Sequence, residues 1–212
     1  MANNLVSYWK LIANSNDFGP NALNLTDHSV TYKQGRLGGA AYYAGAITNY
    51  SDVSDSSPLN AVSITEMFWV QHAVTAGTNV YVFKLYSNPT STADVALYIL
   101  SNTTLYGTYY TTTALNTTKA FVPVVGRWYH LAFKNDPSTG AYLYINGVQV
   151  NFNAVSKGNL HQGTTYYSVG ARNKGNAVDS PLNGSVCDIR WYNTALSDQF
   201  IKTIYSSQCG IF

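Results

Sequence analysis

Short stretches rich in β-branched and aromatic residues, separated by polar turns, recur along the chain at 79–86 (NVYVFKLY), 93–101 (ADVALYILS), 127–134 (RWYHLAFK) and 140–151 (GAYLYINGVQVN). Such stretches suit a pleated, half-buried surface and predict strands. Asn146-Gly147 splits the last of them into a hairpin, because a two-residue type I′ turn needs positive φ at both centres. Gly38-Gly39, Pro58, Asn88-Pro89, Pro137 and the stretch 170–176 punctuate the remaining strands, and the Thr-rich 103–118 reads as a mobile hairpin or loop. Alternation on 79–86 sets Tyr81, Phe83 and Leu85 against Val80, Val82, Lys84 and Tyr86, and the set that holds the charge is expected outside. On 93–101 it turns Val95, Leu97 and Ile99 inward and Asp94, Ala96 and Tyr98 outward. Near the end, 182–198 (LNGSVCDIRWYNTALSD) places Cys187, Ile189 and Trp191 opposite Val186, Asp188, Arg190 and Tyr192. A short helix follows: Ser197 can cap it, Asp198 suits its first turn, Leu196 and Ile201 are placed for a hydrophobic staple, and Phe200, Ile201, Ile204 and Tyr205 recur at helical spacing. Since no strand alternates with a long helix, the pattern predicts one all-β domain over residues 1–212, a two-sheet antiparallel sandwich with a single short C-terminal helix.

Composition narrows the function classes. The 212 residues include 12 Lys and Arg, 10 Asp and Glu and 18 Tyr, for a formal net charge of +2. Charged residues are 10% of the chain, against about 25% in an average domain. The basic residues are scattered from Lys10 to Lys202, which leaves no electrostatic footprint for nucleic acid. No segment approaches a membrane span, and residues 1–10 lack a signal-peptide pattern. A soluble protein is expected; the compartment stays open, with the cell exterior or a virion surface among the alternatives.

Catalytic and metal chemistry find little support. A glycosidase needs a carboxylic acid and a carboxylate roughly 5–9 Å apart, whereas Glu66 is the single Glu of the chain and has no acid at two-residue spacing. The aspartates read as turn or strand-end residues, with Asp52 and Asp55 in a capped turn. His28, His72, His130 and His161 share no zinc-ligand spacing with one another or with the cysteines, and His130 reads as a packed, hydrogen-bonded core residue. No serine elbow, P-loop or dinucleotide fingerprint occurs. A non-enzyme is therefore expected. Cys187 and Cys209 either form a disulfide that ties down the tail or remain two free thiols. Asp188 either pairs with Arg190 or accepts backbone donors. What remains is a surface suited to sugars, whose C–H faces pack on aromatic rings and whose hydroxyls pair with amides and hydroxyls. Tyr86, Tyr98, Tyr106 and Tyr110, with Asn102, are the candidate ligand-binding face.

Six stretches in order resemble the laminin G-like jelly roll of the concanavalin A-like lectin/glucanase superfamily. They are LVSYWKLIANSNDFGPN with its Asp17-x-Gly19 turn, GRLGGAAYYAG, SITEMFWVQ with Thr65, Phe68 and Trp69, GRWYHLAF with Trp128, His130 and Ala132, YLYINGVQV, and the closing LNGSVCDIRWYNTALSDQFIKTIY. The resemblance implies that 184–192 is the last strand, paired with the first, with Cys187, Ile189 and Trp191 inside. In several branches an aspartate on that strand helps to hold a structural calcium, a role that falls here on Asp188 alone. It also implies lectin-like glycan recognition, or alternatively a structural or adhesion role such as a phage or viral surface or fibre component.

Overall fold

The computed structural model describes residues 4–54, 57–74, 77–85, 93–101, 103–110, 114–154 and 166–209. Its strands in chain order are β1 (Leu5–Trp9), β2 (Thr26–His28), β3 (Thr31–Lys33), β4 (Ala40–Ala44), β5 (Tyr50–Val53), β6 (Ile64–His72), β7 (Asn79–Leu85), β8 (Ala93–Leu100), β9 (Thr104–Tyr110), β10 (Ala114–Ala120), β11 (Trp128–Asp136), β12 (Gly140–Ile145), β13 (Val148–Asn153), β14 (Tyr167–Val169), β15 (Arg172–Asn173), β16 (Val178–Asp179) and β17 (Asn183–Tyr192). One helix, α1 (Asp198–Cys209), follows them.

All pairings are antiparallel. One sheet runs β13-β12-β11-β6-β17-β4-β3, with β1 added alongside β17, and the other runs β10-β9-β8-β7-β14-β5-β2. The closing strand β17 therefore pairs with the first strand, as the family pattern implies. Between the sheets lies one apolar core that includes Trp9, Phe68, Tyr81, Leu97, Leu131, Phe133, Tyr167 and Trp191. The β12–β13 turn has Asn146 at φ 52° and Gly147 at φ 73°, the positive pair that type I′ geometry demands. The Thr-rich stretch is a strand pair, β9 and β10. At the edge where the sandwich closes, the Asn151 amide of the first sheet donates to the Thr118 carbonyl of β10, and Asn153 donates to the Asn116 carbonyl.

Two bulges overturn the simple alternation. On β7 the register shifts between Val80 and Val82, so Tyr81 and Val82 both enter the core while Val80, Phe83 and Leu85 form an outer cluster. Lys84, expected outside, is buried with its ammonium 2.5 Å from Asp94 and 2.8 Å from the Asn60 amide oxygen. Val95, Leu97 and Ile99 of β8 face the core, with Ala96 and Tyr98 on the opposite side. On β17 the shift between Cys187 and Arg190 centres on Asp188 at φ 57°. Val186, Ile189 and Trp191 point into the sandwich, whereas Cys187, expected with them, lies against Ala40 and Trp69. One extra residue in a strand reverses the facing of everything beyond it.

The helix covers the outside of the first sheet. Ser197 Oγ accepts the Phe200 amide at 3.2 Å as the N-cap, and Ile201 and Ile204 pack with Met67, Ala132 and Tyr144, joined by Leu196. Beneath its C-terminal half Trp69 Nε1 donates to Gln208 Oε1 at 2.6 Å, and Gln208 Nε2 donates to Asp188 Oδ2 at 2.6 Å. Cys187 and Cys209 lie in this region as free thiols, so the bridge is not formed. Burial pushes the Cys187 thiol up to about 12.

Glu66 and His130 are buried as well. Glu66 is fully buried and accepts the Tyr167 hydroxyl at 2.5 Å, with Tyr167 stacked on Trp9 at 5.0 Å. Burial raises the Glu66 carboxyl to about 8, against the opposing pull of the Tyr167 bond. His130 packs edge-on to Trp69 at 5.3 Å. Neither of its ring nitrogens has a hydrogen-bond partner among the described residues, contrary to the hydrogen-bonded histidine expected. Burial first, and then the charge of Arg190, lower His130 to about 3.

Candidate functional site

The outer face of the second sheet combines half-buried aromatics with convergent polar groups. Alternation along β2 and β5 turns Thr26, His28, Tyr50 and Asp52 outward, while Ser51 points inward to the Tyr43 hydroxyl. The β15–β16 hairpin folds over this face. Its start requires glycine: Gly170 has φ 81°, and a Cβ there would lie 2.4 Å from the Tyr43 ring. Ser168 Oγ then donates to the Ala171 carbonyl at 2.9 Å. Asn173 Nδ2 donates to Asp52 Oδ2 at 2.7 Å, and so ties the hairpin to the sheet.

Between hairpin and sheet lies a cleft of about 560 Å³. Its floor is Asp52, whose second oxygen lies 2.9 Å from His28 Nε2. The His28 ring stacks on Tyr50 with centroids 4.2 Å apart and planes 21° apart. Burial, followed by the neighbouring Asp52 carboxylate, raises the Tyr50 phenol, which therefore remains a donor at neutral pH. Tyr166, Asn176 and Val178 complete the walls. The cations of the hairpin are already engaged: Arg172 makes a two-pronged contact with Asp179 at 2.6 and 2.8 Å, and Lys174 lies 2.7 Å from the same carboxylate. Burial opposes ionisation of Asp179, yet the hydrogen bonds from Arg172 and Lys174 bring it down to about 2.

Of the residues expected to bind ligand, Tyr98 and Tyr106 lie opposite each other on β8 and β9 of the same sheet, rings stacked 4.9 Å apart at 9°. Thr108 beside them donates to the Asn116 amide oxygen at 2.6 Å. Tyr110 is half-buried two residues further along β9, while Tyr86 and Asn102 lie outside the described residues. Burial raises the Tyr98 phenol, and Thr108 and the charge of Arg172 partly offset this. Sequence reasoning missed His28, Tyr50, Asp52, Tyr166 and Asn173. Asp52, expected in a capped turn, is the third residue of a strand, and Tyr50-Ser51-Asp52 already alternates.

Asp188 does not suit calcium. Its Oδ1 accepts the Tyr8 hydroxyl at 2.6 Å and Arg190 Nη2 at 3.1 Å, and Oδ2 accepts Gln208. A hard cation needs six to eight oxygens, whereas this carboxylate is ringed by donors and faces a guanidinium. No group of three or more His, Cys, Asp or Glu among the described residues could hold a metal. Chelator is expected to leave the melting temperature unchanged and added calcium to leave it equally so, since a ligand of the folded state alone would raise it. A calcium-dependent rise, scanned by differential calorimetry, would contradict this assignment.

Glu66 has no place in a surface reaction, being enclosed between the sheets. No helix among the described residues is long and apolar enough to cross a membrane. A family model described as the concanavalin A-like lectin/glucanases superfamily, laminin G type, matches residues 44–202. The chain belongs to this superfamily. No curated protein sequence matches it. Among solved structures, domain 4 of AbnA, an extracellular arabinanase of family GH43 from Geobacillus stearothermophilus in complex with arabinotriose, is similar at 16% identity and TM-score 0.72, over 95% of this chain and 98% of that one. The binding domain of Paraclostridial Mosquitocidal Protein 1 is similar at 13% identity and TM-score 0.78, over 98% of this chain and 53% of that one. Trypanosoma rangeli sialidase in complex with sialic acid is similar at 15% identity and TM-score 0.73, over 98% and 33%. This jelly roll thus spans nearly all of the first, about half of the second and a third of the last.

Proposed function

We propose that this superfamily member is a non-catalytic, lectin-like protein that recognises glycans on the outer face of its second sheet. The observation that carries the reading is the cleft, where a stacked His28–Tyr50 pair stands beside a floor of Asp52 and Asn173. Rings of this kind cover the C–H face of a sugar, and carboxylate and amide groups pair with its hydroxyls. Asp52 is the one carboxylate lining the cleft among the described residues, whereas glycoside hydrolysis takes two. The arabinotriose and sialic acid bound to two of the similar structures support a saccharide ligand. Nothing in the fold or the comparisons favours a coat or fibre component.

A glycan array followed by titration calorimetry is expected to find binding with no release of reducing ends. Turnover that disappears in Asp52→Asn would overturn the non-catalytic reading. The stacked tyrosines extend the same face, so Tyr98→Ala is expected to weaken binding by about 1 kcal/mol or more, with a loss of stability well below that of a core truncation because the ring is half-buried. Unchanged affinity in a folded Tyr98→Ala protein would confine the ligand to the cleft side of the hairpin.

A further inference from the structure

A second hollow of about 580 Å³ adjoins the cleft, lined by His28, Ser29, Ile47, Thr48, Tyr50 and Val178. The two hollows share His28, Tyr50 and Val178. The stacked rings therefore form a ridge with one basin on either side, and the β15–β16 hairpin borders both through Val178. Each basin falls within the ~300–1,000 Å³ typical of small-ligand sites, and the ridge between them presents ring edges and faces to anything that spans the two.

We infer that the two basins are one continuous site for a neutral oligosaccharide, bound as a chain that straddles the His28–Tyr50 ridge. The inference rests on the lectin-like reading above and deepens it to a ligand class. Three observations carry it. The continuity of the basins across a shared aromatic pair suits a chain of sugar rings, each with an apolar face, better than one terminal sugar. The basins differ in character: the first holds the Asp52–Asn173 polar floor, and the second holds Ile47, 58% exposed, beside Thr48 and Ser29. One sugar unit is thus held by its hydroxyls and the next by its C–H surface. Charge then selects the class. The one carboxylate lining the basins among the described residues is Asp52, and the nearby Arg172 and Lys174 are held by Asp179. A sialic acid or uronic acid carboxylate placed here would face Asp52 with no free cation to meet it among the described residues, so an acidic sugar is disfavoured.

The test is an array of neutral and sialylated glycans, followed by calorimetry with the best-bound neutral trisaccharide, its monosaccharide unit and a sialylated form of the same chain. The trisaccharide is expected to bind at least about tenfold more tightly than the monosaccharide, and Tyr50→Ala to weaken it by about tenfold, as a central aromatic contact does. Tyr50→Phe keeps the ring and is expected to keep most of the affinity. Ile47→Ser alters an exposed side chain with little bearing on folding, and it is expected to weaken the trisaccharide while leaving the monosaccharide as it was. If Tyr50→Ala proves unfolded by its melting curve, the Ile47→Ser comparison decides. Equal affinity for monosaccharide and trisaccharide, preference for the sialylated chain, or indifference to Ile47→Ser would overturn the straddled site while leaving a lectin. Absence of any glycan binding would overturn both.

Discussion

Glu66→Gln is expected to hold its stability above pH 8, where the parent protein gives way. The Glu66 carboxyl moves from 4.5 when unfolded to about 8 inside the sandwich. The folded state therefore binds this proton more tightly than the unfolded chain does. Its contribution is fully present below pH 4.5 and is lost as pH rises through 8, because above 4.5 the unfolded chain releases the proton while the folded chain must retain it. At about 1.4 kcal/mol per unit, the window from 4.5 to about 8 amounts to a loss of about 5 kcal/mol. Gln has the same shape, can accept the Tyr167 hydroxyl and cannot ionise. Urea midpoints from pH 5 to 9 should diverge between the two proteins, meeting at the acid end and separating by several kcal/mol at the alkaline end. Parallel profiles would mean that the interior accepts the charged carboxylate. His130 acts in the opposite direction. Lowered from 6.5 to about 3, it contributes stability that is present above pH 6.5 and is lost as pH falls towards 3. Between 4.5 and 6.5 the two slopes oppose each other, so a plateau is expected there, with decline on either side.

The second large effect is expected at Asp188→Ala. This carboxylate is 2% exposed and accepts hydrogen bonds from Tyr8, Arg190 and Gln208, which belong to β1, β17 and α1. Removal of one partner of a buried ion pair costs about 3–5 kcal/mol, because the other charge remains without compensation, and the partial exposure of Arg190, 23%, places the expected loss at the lower end of that range. Alanine at φ 57° adds about 1–2 kcal/mol of backbone strain that aspartate and asparagine tolerate better. Asp188→Asn should therefore lose visibly less than Asp188→Ala in chemical denaturation. Equal losses would place the whole effect in the charge.

Local pattern carried the fold a long way. Strand positions, the Asn146-Gly147 turn and the Ser197 cap are set by residues close in sequence, and the structure has them; the pairing of the last strand with the first, some 180 residues apart, was implied by the family resemblance alone. Errors entered where a single inserted residue changed the facing of a strand. No periodicity reveals a bulge in advance, and the bulges at Val80–Val82 and at Asp188 misplaced Phe83, Leu85, Lys84 and Cys187. Lys84 illustrates a second cause: a lysine reads as solvent-facing until its partners, Asp94 on the next strand and Asn60 from a remote loop, are known. The cleft was hidden for a similar reason. His28, Asp52 and Asn173 are separated by 24 and 121 residues, and only the crossing of β2, β5 and the β15–β16 hairpin brings them together. Tyr98 and Tyr106, which face each other across one tight hairpin, were within reach of alternation alone.

The amides at the closing edge of the sandwich bear on how this protein survives at high concentration. An unpaired row of backbone carbonyls is a template on which a second chain can add a strand and seed fibres, and proteins commonly guard such borders with lysine or glutamate. With charged residues at 10% of the chain, that defence is thinly available. Asn151 and Asn153 of the first sheet occupy the Thr118 and Asn116 carbonyls of β10 from across the sandwich, so neutral side chains of the opposite sheet hold part of the border that an intruding strand would otherwise take. At this edge a nearly uncharged surface can thus resist strand addition through occupied carbonyls instead of through repulsion.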